Sequence, residues 1–174
     1  MSRSLDVLQP EFREKLEQAI SLSKDAGYMM VPYETQRDVW DQAKYWRRSR
    51  NRSQINAMCH KLRSQNAPFL ASVIEEVGPQ TGRWATNAIP GLSWHQWGLA
   101  ADLYWDSNGD APGGIEWSKM EGYAAFAKIA RDTGLTSGFF WRSRDAVHVQ
   151  FPVENKPYFK LEDISSLMEL RYRG

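Results

Sequence analysis

Two histidines and an aspartate carry the chemistry available to this chain. His95 and Asp102 lie in Ser93-Trp94-His95-Gln96-Trp97-Gly98-Leu99-Ala100-Ala101-Asp102, and His148 follows in Asp145-Ala146-Val147-His148-Val149-Gln150. Two imidazole nitrogens and a carboxylate oxygen fill three of the four positions of a tetrahedral Zn²⁺ and leave the last to water, which distinguishes a catalytic zinc from a closed structural one. The chemistry implied is zinc-dependent hydrolysis, because a bound zinc brings the pKa of its water from about 15.7 toward about 7. Asp145, just before His148, is a natural general base toward that water; the alternative is a carboxylate that orients the His148 ring. Ser93 reads as a turn hydroxyl or a substrate contact rather than a nucleophile, since the metal claims the histidines a serine relay would need. His60, the remaining one of three histidines, sits in Met58-Cys59-His60-Lys61-Leu62 without nearby carboxylates, so it is expected on the surface, with Cys59 a small buried thiol.

Positioning these groups makes demands on the backbone. His95 and Asp102 are an odd number of residues apart, so a continuous strand would point them to opposite faces. Gly98 is expected to supply a bulge or a positive-φ turn that re-aims His95 at the end of the first metal-bearing strand. Beyond it, Leu99, Ala101 and Leu103 alternate with Ala100 and Asp102, the pattern of a half-buried strand with the site on its other face. The second histidine repeats the pattern, with Val147, Val149 and Phe151 toward the core and His148 and Gln150 toward the metal.

The rest of the chain reads as α+β, with a small antiparallel sheet packed against several helices. Pro10 and Gly27 bracket a helix whose inward face is Phe12, Leu16, Ala19 and Ile20. A short strand is expected over 28–33, a helix over 36–48, and a long helix over 53–77 broken or kinked at Pro68. The loops 78–91 and 107–114, rich in glycine and proline, deliver and flank the site. A helix over 118–132 ended by Gly134 carries Tyr123, Phe126, Ile129 and Ala130 inward, and Leu161, Ile164, Leu167 and Met168 mark a last helix.

Length and composition suit one domain spanning 1–174: 42% hydrophobic and 13% aromatic residues supply a core, and a single cysteine excludes an intramolecular disulfide framework. Synthesis in a reducing cytoplasm fits, as the N-terminus shows no apolar signal-peptide core and no run of 18 or more apolar residues occurs. The net charge is +1, yet no acidic residue falls between Gln42 and Ile74, where Lys44, Arg47, Arg48, Arg50, Arg52, Lys61 and Arg63 cluster. That basic segment is either a solvated helical face or a field that draws anionic polymers. No recognition motif accompanies it, so a nucleic-acid partner is not expected. Of the eight tryptophans, Trp94, Trp97, Trp105, Trp117 and Trp141 lie near the metal segments, as core or as walls of a substrate groove.

The order Ser93-x-His95-x-x-Gly98-x-Ala100-x-Asp102, then Asp145-x-x-His148, resembles the signature of the LAS-type zinc peptidases, the group of lysostaphin, the D-alanyl-D-alanine peptidases and sonic hedgehog. Within it the chain is similar, from about Tyr33 to Phe151, to the branch of D-alanyl-D-alanine carboxypeptidases and L-alanyl-D-glutamate endopeptidases, many of them phage endolysins. The resemblance implies Zn²⁺ on His95, Asp102 and His148, Asp145 as catalytic base, and peptidoglycan stem peptides as substrate. Tyr33-Glu34-Thr35-Gln36-Arg37 and Gln42 are similar to the family's "ETxR…Q" segment, which makes Arg37 an oxyanion or substrate group and Gln42, with Ser93 and Trp141, a candidate substrate contact. Two departures bear on specificity: Arg37-Asp38 stands for the usual Arg-Ser, and Ser137-Gly138-Phe139-Phe140-Trp141 for the usual Trp-Gly-Gly. The expected setting is a monomeric endolysin reaching the wall through host lysis machinery, with L-alanyl-D-glutamate endopeptidase activity. The alternatives are a D-alanyl-D-alanine carboxypeptidase or dipeptidase, and a zinc-containing binding module without turnover.

Overall fold

The computed structural model describes residues 2–109, 115–152 and 160–174. The Pro112-Gly113-Gly114 part of the second expected loop lies outside them. The described residues group into two compact units, 2–36 with 97–109 and 115–152, and 37–96 with 160–174.

The first unit is a sheet with two helices. Its strands are β1 (Met30–Glu34), β2 (Ala100–Asp106), β3 (Ile115–Glu116), β4 (Thr136–Ser137) and β5 (His148–Gln150). They run β1-β2-β5-β4, all antiparallel, with β3 paired to the end of β2. The alternation expected for β2 and β5 is present: Ala101, Leu103 and Val149 enter a core with Phe12, Leu16 and Ala19 of α1 (Pro10–Asp25) and with Tyr123, Phe126 and Ala130 of α5 (Glu121–Asp132). α1 begins with proline at its first turn, where the missing N–H costs no bond. α5 lies close to the sheet because Gly122 has no side chain: a Cβ there would sit 2.3 Å from the Trp105 ring.

The second unit is helical: α2 (Val39–Arg47), α3 (Arg52–Ser64), α4 (Pro68–Glu76) and α6 (Leu161–Arg173). The helix expected over 53–77, broken or kinked at Pro68, is broken into two helices. α3 ends where Asn66 takes a left-handed φ of 55° and the Ala67 N–H returns to the Leu62 carbonyl, and Pro68 then opens α4 instead of bending α3. α4 is apolar nearly throughout because it packs against α2, α3 and α6. In α6, Ile164 and Met168 are buried as expected, but Leu167 is exposed, being off the face that meets α4. Cys59 is buried and His60 exposed.

The arginines of the basic segment act largely as staples. Arg47 donates to the Ile74 carbonyl (2.8 Å), Arg63 pairs with Glu75 (2.6 Å), and Arg50 donates to the Trp46 and Thr86 carbonyls while its guanidinium stacks 3.7 Å from the Trp84 ring centroid. Arg50 thereby ties the 78–91 loop to α2 by bonds a lysine could not duplicate.

Candidate metal centre

Asp102 and His148 are direct cross-strand partners in the β2–β5 ladder, where Ala100 faces Gln150 and Ala101 faces Val149. Side chains opposite one another in an antiparallel pair start about 5 Å apart at Cβ, so an aspartate and a histidine reach each other without backbone distortion. The Asp102 Oδ1 and His148 Nδ1 atoms are 3.0 Å apart. On the other edge of β2, Asp102 faces Glu34 across an irregularity in β1 between Pro32 and Glu34.

His95 arrives differently from the expectation. It is not on a strand: Trp94–Trp97 is a single turn of 3₁₀ helix, and the strand starts only at Ala100. Gly98 does take the positive φ expected of it, 70°, and so separates the turn from the strand. A second constraint holds it, since a Cβ at Gly98 would lie 2.9 Å from the Val7 carbonyl oxygen, while the Gln9 N–H donates to the Gly98 carbonyl at 2.9 Å. The 3₁₀ turn is also clamped by Gln96, whose buried side-chain oxygen accepts the Gly91 N–H at 2.7 Å. Nothing in the sequence pattern marked Gln96, because a glutamine beside a histidine carries no periodic signal of its own.

Tetrahedral zinc with nitrogen and oxygen ligands at about 2.0–2.1 Å places those atoms about 3.3 Å from one another, close to the 3.0 Å between Asp102 Oδ1 and His148 Nδ1, so this pair fits two positions on zinc. His95 is buried, and the side chains of Asp102 and His148 keep only 15% and 11% of their exposure. Burial alone would push the His148 pKa down, but its bond to Asp102 and the charges of Asp102 and Asp145 outweigh this and hold it above the ordinary value. The Nε2 atom of the same ring lies 3.1 Å from Gln150 Oε1.

Asp145 lies in a turn tied to the preceding segment. Its N–H donates to the Gly138 carbonyl (3.0 Å), and its own carbonyl accepts the His148 N–H (3.3 Å). Gly138 makes the approach possible, as a Cβ there would be 2.6 Å from the Asp145 carbonyl oxygen and 3.2 Å from His148 Cβ. Ser137 accepts the Phe139 N–H and starts the 3₁₀ turn Gly138–Phe140, after which the exposed Trp141 ring packs 5.2 Å from the His148 ring. The unusual Ser-Gly-Phe-Phe-Trp stretch thus supplies both the seat of the Asp145 turn and an aromatic neighbour for His148.

Arg37 and Gln42 pair with each other. Arg37 Nη1 donates to Gln42 Oε1 at 2.8 Å and the guanidinium lies 4.6 Å from the Tyr45 ring centroid, while Gln42 Nε2 donates to the Ala88 carbonyl at 2.7 Å. Gln42 is fully buried, so its amide orients Arg37 and the 78–91 loop. Asp38, the departure from Arg-Ser, caps α2 by accepting the Asp41 N–H at 2.7 Å, work that serine does equally well. Ser93 is buried beside the 3₁₀ turn, where its carbonyl accepts the Gln96 N–H. On the Asp102 face of β2, Tyr104 continues into an aromatic wall in which Tyr33 stacks edge-on with Tyr104 (6.3 Å) and with the exposed Trp117 (5.9 Å).

An antiparallel sheet that presents a histidine and an aspartate as direct partners, with a second carboxylate on the turn before the histidine, carries donor types that suit a metallopeptidase. The chain belongs to the VanY family of D-alanyl-D-alanine carboxypeptidases, which matches residues 6–152, and so to the LAS-type zinc peptidases. No curated protein matches it in sequence. Among solved structures it is similar to the L-Ala D-Glu endopeptidase ChiX of Serratia marcescens, with 17% identity, a TM-score of 0.47, and coverage of 87% of this chain and 88% of that one. It is also similar to the Zn(II) complex of the E175A mutant of the vancomycin resistance D,D-pentapeptidase VanY from a VanB-type cassette (15% identity, TM-score 0.48, 83% and 72% covered). A third is the LD-carboxypeptidase LdcB (14% identity, TM-score 0.49, 94% and 64% covered). Family membership rests on the match over 6–152.

Proposed function

We propose that this chain hydrolyses peptide bonds in peptidoglycan stem peptides, as an endopeptidase at the L-alanyl-D-glutamate bond, with His95, Asp102 and His148 as zinc ligands and Asp145 as the catalytic base. The observation that carries this reading is the pairing of Asp102 with His148 across the β2–β5 ladder beside a second carboxylate, Asp145, anchored on a turn. When bound, zinc supplies a Lewis acid and a water acidic enough to lose its proton near neutral pH. Asp145 accepts the proton of the attacking water and returns it to the leaving amine, which calls for hydrogen-bond reach and an exposed carboxylate rather than coordination. Arg37, aimed by Gln42 and stacked on Tyr45, holds the substrate carboxylate or the oxyanion of the tetrahedral intermediate. Trp141 on one side and Tyr33 with Trp117 on the other wall the substrate path along the sheet face.

A second reading, D-alanyl-D-alanine carboxypeptidase, is favoured by the description of the matching family. Digestion of isolated sacculi separates the two. Mass spectrometry should show fragments with new L-alanine C-termini and D-glutamate N-termini; loss of terminal D-alanine alone would establish the carboxypeptidase instead. The setting we propose is a phage endolysin, a reading that rests on the resemblance to a branch many of whose members are endolysins. Lysis of outer-membrane-permeabilised Gram-negative cells tests it.

A further inference from the structure

Gln150 stands two residues beyond His148 on the same face of β5, opposite Ala100. Its Oε1 is 3.1 Å from His148 Nε2, while His148 Nδ1 is 3.0 Å from Asp102 Oδ1. A carbonyl oxygen only accepts, so the Nε2 position must carry the proton. A neutral imidazole with hydrogen on Nε2 has its lone pair on Nδ1, the atom that faces Asp102.

Resting on the metal centre proposed above, we infer that Gln150 is a positioning residue that selects Nδ1 of His148 as the metal-binding atom by accepting the Nε2 proton. A glutamine does this without adding negative charge. The donor set therefore keeps one anionic group, Asp102, and a bound zinc keeps more of its acidity than it would beside a second carboxylate.

Two variants of the full chain test this: Gln150→Leu, which keeps the bulk and removes the acceptor, and Gln150→Glu, which keeps the acceptor. Zinc stoichiometry of the wild type is measured first. A chain that takes up no zinc overturns the metal centre itself, which separates that failure from failure of the role given to Gln150. Zinc affinity by competition with a chromophoric chelator should fall 10–100-fold in Gln150→Leu and be retained or raised in Gln150→Glu. Nitrogen-resolved NMR of the zinc-loaded wild type should show a slowly exchanging proton on His148 Nε2, with faster exchange in the leucine variant. A proton on Nδ1 in the loaded protein, or affinity and exchange unchanged within about twofold in Gln150→Leu, would overturn the inference. So would an equal loss of affinity in both variants, which would mark packing rather than proton acceptance.

Discussion

Asp145 combines an exposed carboxylate with a backbone bonded at both its N–H and its carbonyl, so Asp145→Asn changes proton capacity with little change of shape. Turnover should fall by about 10²–10⁴ while zinc content, measured by plasma mass spectrometry, stays at the wild-type level. Loss of the metal as well would recast Asp145 as a partner of His148. The histidine itself gives a signed pH dependence. Its pKa is raised in the folded, metal-free chain from the ordinary 6.5. Its contribution to the stability of that form is therefore fully present below about pH 6.5 and is lost as pH rises through the raised value. Thermal melts of chelator-treated protein should show this decline, and His148→Gln should remove it. Zinc affinity should run the other way, rising with pH until the ring is fully deprotonated.

At the scale of elements, two glycines set the positions of the site's segments. Gly98→Ala would place a side chain at φ 70° and 2.9 Å from the Val7 carbonyl, a backbone cost of about 1–2 kcal/mol before any displacement of the N-terminal segment. Gly138→Ala would push on the Asp145 carbonyl at 2.6 Å, so activity should fall well beyond what the loss of stability, about 1–3 kcal/mol, explains. Comparing kcat with the denaturation midpoint distinguishes a moved turn from a weakened fold. The end of β3 has its own acid dependence. Glu116 accepts the Ser118 hydroxyl and N–H and the Lys119 N–H, which brings its pKa from 4.5 down to about 2. The stability this adds is present above pH 4.5 and is lost as pH falls toward 2, and Glu116→Gln should flatten the acid limb of the stability curve over that window.

For the molecule as a whole, a metal that binds only the folded chain stabilises it by mass action. At a free zinc concentration of 100 times Kd the gain is about 2.7 kcal/mol, or a rise in Tm of roughly 5–10 °C for a chain of this size. Calorimetry with and without a chelator measures it, and His95→Ala should abolish the difference. Among the described residues no helix is long and apolar enough to cross a membrane. The arginines of the basic segment that bond to the Ile74, Trp46 and Thr86 carbonyls hold helices and a loop together. Replacing Arg50 should therefore lower stability more than it alters the salt dependence of wall binding.

The α+β class, the alternation of β2 and β5 and the donor types of Asp102 and His148 were legible in sequence, because each rests on local rules: two-residue periodicity, side-chain donor chemistry and the spacing of a family signature. Gly98 was legible too, since only a residue without Cβ turns so tightly between a ligand and a strand. That His95 rides a 3₁₀ turn was not, as short apolar stretches with aromatic residues suit either conformation and the choice fell to Gln96 and the Gly91 N–H. An interruption of the 53–77 segment was legible at Pro68, but not its kind: proline is tolerated at a kink and at a helix start alike, and packing against three helices decided for the break. Which atoms meet across strands belongs wholly to the tertiary structure. Register set Asp102 opposite His148 and Ala100 opposite Gln150, and register is a property of paired strands, which no single strand's sequence encodes.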